Sequence, residues 1–373
     1  MAHNAEPPDV RFDEMKLSVA RVGRTANELY EDAPERRDLC LWLHGYCLKV
    51  RHVWKKVIVK HEIPHQICLA IWKGEADAAQ RKDFIRLVKP FREKCGESNK
   101  GAFARTSFTD TIWHQLDVAK YHSEHRDPYI LIIIGGAGCG KSTGFYHWGL
   151  ANNHGASCYY RAKHAGGLKV MLADLAEING CNHNQNHARV LSSVHECFWP
   201  GRVLLVDEAH GLLDNNPKQR KLEALRDIVD ARECALALAF TDNNFERDVA
   251  ESGYIFNQLA WRGRFIRLAR SGTDKDIRTL FQFRCPDLDL TPKLRDVLSA
   301  VNEHEMGGFG GVSNVIKDAI FEADRRDVEL SETMLLTSAK MQYGIEDART
   351  GTKAGAKEAT LQIIRSYRAR RGR

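Results

Sequence analysis

The 373-residue sequence lacks several patterns that would place it in a particular class of protein. It has no run approaching the roughly 18 consecutive apolar residues that a transmembrane helix needs. Its first residues lack the basic and then apolar pattern of a signal peptide. None of its ten cysteines belongs to a C-x-x-C pair, which favours reduced, mostly buried thiols over a disulfide framework. These absences predict an intracellular, cytoplasmic protein without a membrane-spanning segment.

The charge is modest overall but unevenly distributed. The formal net charge is +6, and after Ala348 basic residues accumulate against a single acid, Glu358. Such a tail either contacts the phosphate backbone of a nucleic acid or forms a solvated end that adds solubility, and the sequence favours neither. Three arginines near its end are candidate DNA-binding residues: Arg368, Arg370 and Arg371.

A glycine-rich loop follows the apolar, strand-like stretch Tyr129–Ile134. Its pattern, G-x-x-x-x-G-K-[S/T], lets backbone N–H groups surround a phosphate, and the adjoining strand and helix argue against a plain turn. Lys141 is predicted to reach the β- and γ-phosphates and Ser142 to bind Mg²⁺, while a helix beginning near Lys141 directs its positive end at the phosphates. The candidate nucleotide-binding residues are Gly135, Gly136, Ala137, Gly138, Cys139, Gly140, Lys141, Ser142 and Thr143.

A second apolar stretch, Val203–Val206, ends in the acidic pair Asp207 and Glu208. Asp207 is predicted to hold Mg²⁺, directly or through its water shell. Glu208 is predicted to orient or deprotonate the attacking water, a role that needs an ionised carboxylate near the γ-phosphate. Together with the glycine loop upstream, this pair predicts one site for nucleoside triphosphate hydrolysis.

Two further segments offer polar side chains to such a site. The strand-like Ala235–Phe240 is followed by Asn243 and Asn244, which either sense the γ-phosphate or form an ordinary turn. Farther on, Arg262 and Arg264 flank another strand-like stretch. One of them is predicted to complete the nucleotide site of a neighbouring subunit, as arginine fingers do. Arg262 is the first candidate and Arg264 the second. Solvent-facing arginines beside a strand explain the same residues.

A basic loop follows the predicted strand Ser157–Tyr160. It contains Arg161, Lys163 and Lys169 around two glycines. In ring-forming ATPases, loops at this position are often directed at a bound polymer, so these residues are candidate contacts to DNA phosphates. An ordinary solvated loop is the alternative interpretation.

Cysteine and histidine residues are concentrated in one short segment. Zinc prefers such ligands, but the spacings here match no standard structural zinc site. The favoured interpretation is therefore a surface loop rich in asparagine and histidine. The residues are Cys181, His183, His187, His195 and Cys197.

Short apolar stretches alternate with helical ones from Phe108 onward, which predicts an α/β fold with a parallel sheet. The predicted strands are Tyr129–Ile134, Ser157–Tyr160, Val203–Val206, Ala235–Phe240 and Phe265–Leu268. After Arg270 only helices are predicted, and they form a lid on the core: Asp274–Phe283, Pro292–Val301, Val312–Asp324 and Glu332–Gln342.

The N-terminal region reads as helical and contains a helix-turn-helix-like segment, Trp54–Gly74. A turn is predicted near Ile63–Pro64, followed by a second short helix that has the proline in its first turn and ends at Gly74. A plain helical hairpin fits the same pattern. The predicted domain division is an N-terminal extension at 1–37, a helical domain at 38–95, a linker at 96–107, an α/β domain at 108–270, a lid at 271–345 and a basic tail at 346–373.

The order of these motifs, from about Asp38 to Gln342, resembles that of the AAA+ ATPases that assist DNA transposition, the family of the phage Mu B protein. The resemblance implies a phosphate-loop AAA+ core with a helical lid and an N-terminal helix-turn-helix domain. It also implies ATP and Mg²⁺ as cofactors, non-specific binding to double-stranded DNA, self-association into a ring or helical filament, and recruitment of an integrase-type transposase. The expected location is the bacterial cytoplasm or nucleoid, away from membranes.

The chain departs from this family at the start of the third lid helix. Many relatives carry an arginine there that touches the γ-phosphate, but the nearest residues here are Phe309, Gly310 and Gly311. Weak coupling between ATP and the lid, and slow hydrolysis, are therefore expected.

Other classes of protein remain as alternatives. A viral or plasmid replication helicase or initiator-type ATPase carries similar motifs, although a helicase normally has a second motor domain. A secretion-type ATPase would need the membrane segment that the sequence lacks, and a pure nucleotide switch would not need Lys141, Asp207 and Glu208 together. A GTPase is disfavoured because no guanine-reading N-K-x-D element follows the acidic strand.

Overall fold

The computed structural model of the chain describes residues 17–49, 63–99, 103–152, 156–213, 220–242, 245, 258–259 and 261–345. Several sequence predictions lie outside these residues. They are the first helix of the helix-turn-helix-like segment, the candidate phosphate sensors Asn243 and Asn244, and the basic tail with Arg368, Arg370 and Arg371.

One parallel sheet forms the centre of the described structure, in the order β2-β3-β4-β1-β5. The central strands β3, β4 and β1 are almost wholly buried, in keeping with their nearly continuous apolar sequences. All five predicted strands are confirmed, with ends shifted by no more than two residues. The strands are β1 Tyr129–Gly135, β2 Ser157–Arg161, β3 Val203–Asp207, β4 Ala235–Thr241 and β5 Gly263–Arg267.

The strand register brings three polar strand ends to one edge of the sheet. β4 lies between β1 and β3, and Gly135 at the end of β1 pairs with Thr241 at the end of β4. Because all these strands are parallel, their carboxyl ends meet at the same edge, where ligands bind in such sheets. The glycine loop after β1 and the acidic pair after β3 therefore face a common space, with the end of β4 between them.

Helices cover both faces of the sheet. Alternate side chains of β1 point to opposite faces, so Ile132 and Leu131 belong to different hydrophobic clusters. The first face packs against α7, α8 and α9, and the second against α5, α6 and the lid. These helices are α5 Ser107–Glu124, α6 Lys141–Ala151, α7 Leu168–Ile178, α8 His187–Glu196 and α9 Arg220–Arg232.

Between the sheet and residue 345, where the described part of the chain ends, there are four helices, as predicted for the lid. The third begins at Gly308 rather than at Val312, because its glycine-rich first turn, which helix propensity disfavours, is fixed by tertiary packing. Asp276 links the lid to α5: its carboxylate accepts hydrogen bonds from Ser107 N (2.6 Å) and Ser107 Oγ (2.7 Å). The lid helices are α10 Asp274–Arg284, α11 Pro292–Glu303, α12 Gly308–Arg326 and α13 Glu332–Tyr343.

The four N-terminal helices that the structure describes form a separate hydrophobic cluster. In α3 the predicted C-terminal cap is confirmed, since Gly74 has φ +79° and its N–H bonds back to Ala70 and Ile71. α1 also contacts the α/β core, where Gly23 lies so close to Trp199 that a Cβ would be 2.5 Å from the ring. The helices are α1 Val19–Leu29, α2 Pro34–Lys49, α3 His65–Lys73 and α4 Ala78–Asn99.

The predicted fold class, a phosphate-loop parallel-sheet core with a C-terminal helical lid and further helices at the N-terminus, is confirmed. The helix-turn-helix geometry and the division into domains remain predictions. Within the described parts of the chain, no helix combines the length and apolarity that crossing a membrane requires.

Candidate nucleotide-binding site

The glycine loop joins β1 to α6, and its backbone conformation requires glycine at two positions. Gly138 and Gly140 have φ of +78° and +91°, a region that residues with a β-carbon rarely adopt. α6 begins at Lys141, as predicted, and Gly140 caps it without a side chain. The first backbone N–H groups of α6 therefore remain available to an anion bound by the loop.

Lys141 is held within the loop. Its side chain is buried, and Nζ donates hydrogen bonds to the carbonyl oxygens of Gly135 (2.7 Å) and Gly136 (2.8 Å). These bonds compensate for burial of the ammonium group, which would otherwise be costly. The loop thus keeps a positive charge next to the cavity that a phosphate would enter.

Asp207 lies on the opposite side of this cavity, at the end of β3. It is only 3% exposed, and its two carboxylate oxygens accept hydrogen bonds from Glu208 N (3.0 Å) and Tyr159 Oη (2.8 Å). Burial and the neighbouring Asp207 charge raise the pKa of Tyr159 far above its usual value, so the phenol keeps its proton and donates. Sequence reasoning missed Tyr159, because only the pairing of β2 with β3 brings it to Asp207.

Glu208 adopts a strained backbone conformation that directs its side chain. Its φ is +53°, in the left-handed region that non-glycine residues rarely occupy except where function or packing demands it. One carboxylate oxygen lies 3.6 Å from the guanidinium of Arg161, and the other lies 3.4 Å from His210 Nε2. The His210 ring in turn packs against His164, with ring centroids 4.5 Å apart. Arg161, a candidate DNA contact, thus lies beside the candidate catalytic base.

The glycine loop and the acidic pair line one cavity of about 470 Å³. This volume is in the range of small-ligand sites in proteins. The cavity brings together most of the residues predicted for nucleotide binding and hydrolysis. These are Ala137, Gly138, Gly140, Lys141, Ser142, Thr143, Asp207 and Glu208.

The residues around Ser142 and Asp207 fit a magnesium ion. Both line the cavity, and they offer a hydroxyl and a carboxylate oxygen. Mg²⁺ prefers oxygen ligands and is commonly bound by one or two protein groups together with substrate phosphates and water. The donor set at this position is therefore suited to that ion.

Several apolar side chains that sequence reasoning missed also line the cavity. Phe103 and Ala104, from the segment predicted as a linker, line it together with Leu280 and Phe283 of the lid. The Phe103 ring stacks on His147, with centroids 4.3 Å apart and an interplanar angle of 18°. Flat rings beside aliphatic side chains suit a planar base. The signal was hidden because these residues are far apart in the sequence.

The lid forms the remaining wall of the cavity. Gly310, in the first turn of α12, packs against the glycine loop, and a Cβ added at Gly138 would lie 2.5 Å from Gly310 Cα. Farther along α12, Ser313, Asn314 and Lys317 line the cavity. No side chain at position 310 could enter the cavity, since the backbone of the loop occupies that space.

The two candidate arginine fingers lie away from this cavity. The carbonyl of Arg262 accepts a hydrogen bond from Ile130 N, near the amino end of β1 and thus at the sheet edge opposite the glycine loop. Arg262 Nε is 3.0 Å from Asp230 Oδ1, while Arg264 is exposed on the edge strand β5. Neither arginine completes the site of its own chain.

The remaining basic candidates have different surroundings. Lys163 forms a 2.8 Å ion pair with Asp174. Lys169 is exposed and lines a second cavity of about 520 Å³, together with His187 and Arg220.

Two members of the cysteine and histidine segment lie side by side. Cys181 Sγ and Cys197 Sγ are 3.3 Å apart, and the hydrogen bond between the two thiols lowers the pKa of Cys181. Among the residues that the structure describes, no group of three or more His, Cys, Asp or Glu side chains could hold a metal ion.

Comparisons with known proteins find a distant likeness of fold. No protein-family model matches the sequence, and no curated protein matches it either. The structure is similar to two solved structures of the Aeropyrum pernix ORC2 protein. One is of its ADPNP–ADP complexes and the other is of its ADP form. The first has a TM-score of 0.47 at 14% identity, over 62% of this chain and 66% of that one. The second has a TM-score of 0.46 at 16% identity, over 61% and 67%. At this distance the likeness concerns the fold alone.

Proposed function

We propose that the protein is an ATPase of the AAA+ type that binds ATP with Mg²⁺ and hydrolyses it. The observation that carries this proposal is the single cavity shared by Lys141, Ser142, Asp207 and Glu208. A phosphate-binding loop, two oxygen donors for a metal ion and a candidate general base are the parts that phosphoryl transfer to water requires.

Each residue has a distinct task in this reaction. The loop N–H groups and the start of α6 bind the phosphates, and Lys141 offsets their charge. Ser142 and Asp207 would hold Mg²⁺, which neutralises charge developing on the phosphates. Glu208 takes the proton from the attacking water. Arg161 and His210 orient the Glu208 carboxylate, and Tyr159 orients that of Asp207.

ATP is the proposed nucleotide. The stacked pair of Phe103 and His147 provides a flat apolar surface for a purine ring. The sequence contains no N-K-x-D element after the acidic strand to recognise guanine.

Glu208→Gln and Lys141→Ala test the site in two different ways. Glu208→Gln keeps the shape of the side chain but removes the base, so ATP binding is retained while turnover falls by about 100-fold or more. Lys141→Ala removes the charge at the phosphates and is expected to abolish binding. Binding of a fluorescent ATP analogue and release of phosphate measure the two effects. Glu329→Gln, an exposed site in the lid region, serves as the matched control. Unchanged hydrolysis in Glu208→Gln would remove Glu208 from its assigned role.

Nucleic-acid binding and self-association are the proposed context of this hydrolysis. The exposed Lys169 and Arg220 place two positive charges around the second cavity, a surface suited to phosphodiester groups. Arg264 lies on the exposed edge strand β5 and Arg262 directly precedes it, so a neighbouring subunit could receive either side chain. We therefore propose that ATP promotes assembly of several copies on DNA, each using an arginine of the next.

Two biological settings are distinguished by experiment. In one setting the protein acts as an initiator-type ATPase of DNA replication, and in the other it coats target DNA and recruits a transposase. Footprinting with an ATP analogue on the replicon that encodes the protein separates the two. Protection confined to one region supports an initiator, whereas uniform protection supports non-specific coating for a transposase.

A further inference from the structure

Position 310, in the first turn of α12, cannot supply a charged contact to a nucleotide. Gly310 packs directly on the glycine loop, and a Cβ at this position would lie 3.0 Å from Gly138 Cα and even closer to the carbonyl oxygen of Ala137. Both neighbours are backbone atoms, which cannot rotate away. A long side chain here would therefore separate the lid from the loop rather than enter the cavity.

The same face of α12 continues along the cavity. Residues at i, i+3, i+4 and i+7 of a helix share one face, and these positions from Gly310 are Ser313, Asn314 and Lys317. All three line the cavity that also contains Lys141 and Ser142. Contact between Gly310 and the loop therefore fixes where Lys317 lies relative to the phosphate-binding residues.

The direction of the Lys317 side chain suits a contact with phosphate. Its Cα lies roughly 10 Å along the helix axis from that of Gly310. Side chains in a helix lean toward its N-terminus, so the flexible four-carbon stem of Lys317 leads the ammonium group back toward the loop. Lys317 is exposed, so its ammonium group can move to meet a bound anion.

We propose that Lys317 is the cationic contact that α12 offers to the polyphosphate chain of the bound nucleotide. It replaces, from two turns farther along α12, the arginine that position 310 cannot accommodate. The proposal rests on the proposed ATPase function and names a specific ligand of that site. It also provides the charge through which the lid responds to the number of phosphates bound.

The test compares nucleotides that differ only in phosphate number. Equilibrium dissociation constants for ATP, ADP and AMP are measured for the wild type, Lys317→Ala, Lys317→Glu and Lys317→Arg. Because a charge-assisted contact is lost, Lys317→Ala should weaken ATP binding by roughly tenfold or more and AMP binding much less. Lys317→Glu should weaken ATP binding further, and Lys317→Arg should restore most of it. Lys293→Ala, which removes an exposed lysine of α11 outside the cavity, should leave all three constants unchanged.

Two results would overturn the proposal. One is an ATP affinity in Lys317→Ala equal to that of the wild type. The other is an equal loss of affinity for ATP and for AMP in this variant, because a contact with the polyphosphate chain would weaken ATP binding more than AMP binding. Failure of the proposed function itself is recognised separately, because the wild type would then bind no ATP and Lys141→Ala would change nothing.

Discussion

Gly310→Ala is expected to weaken both the folded structure and the nucleotide site, although alanine is the better helix former. Replacing a helical glycine by alanine ordinarily stabilises a protein by about 1 kcal/mol. Here the added methyl would meet the backbone of Ala137 and lie 3.0 Å from Gly138 Cα, which is tighter than ordinary van der Waals contact. Relief requires movement of the whole lid helix or of the phosphate loop, because no side chain can rotate away.

The size of the effect follows from these opposing contributions. Forcing an extra methyl group into a packed contact typically costs about 1–3 kcal/mol. After the gain in helix propensity is subtracted, we expect a net loss of about 1 kcal/mol in the free energy of unfolding. Separation of α12 from the loop also carries Lys317 away from the phosphates, so ATP affinity should fall together with stability.

Urea unfolding and ATP titration measure these two effects on the same samples. Gly311→Ala is the matched control, because a Cβ there would meet only side-chain atoms, Tyr343 Oη at 3.0 Å and Val301 Cγ1 at 3.1 Å. Those atoms can shift, so this variant should be close to neutral and bind ATP normally. A Gly310→Ala protein that is as stable as Gly311→Ala and binds ATP equally well would refute the contact between lid and loop.

Two further predictions concern carboxylates. Burial raises the pKa of Asp276, but hydrogen bonds from Ser107 and Thr273 outweigh it and hold the pKa below its usual value. A depressed pKa in the folded state adds stability at pH values above the pKa of the unfolded state, and this stability is lost as pH falls through the folded-state pKa. Between neutral pH and about pH 3, urea unfolding should therefore show a steeper loss of unfolding free energy in the wild type than in Asp276→Asn. Tyr159→Phe removes the hydrogen bond to Asp207 and should raise the Mg²⁺ concentration needed for half-maximal hydrolysis by roughly tenfold. An unchanged magnesium requirement would show that Tyr159 does not orient Asp207.

The phosphate loop and the strands that flank it were accessible to sequence reasoning because they are local features. Glycines at 138 and 140 are needed for positive φ wherever this loop occurs, and Lys141 begins the helix that follows. The apolar sequence of each central strand reflects burial on both faces. The acidic pair was found in the same way, as a polar end to a buried strand.

Other parts of the candidate site depend on contacts between segments that are distant in the sequence. Phe103 was assigned to a linker, yet it stacks on His147, and both side chains line the cavity. Tyr159 reaches Asp207 only because β2 and β3 are neighbours in the sheet. Neither the periodicity nor the residue spacing in these two segments indicates which distant residue each side chain contacts.

The lid separates what can be read from the amino-acid sequence from what depends on packing. The sequence determined that no arginine stands at Phe309, Gly310 or Gly311, and from this alone a weak response of the lid to ATP was expected. The tertiary structure decided that Gly310 packs on the glycine loop and that Lys317 lines the same cavity. Helix periodicity defines a face of α12 but does not identify the surface against which that face packs, and only that surface brings Lys317 to the cavity.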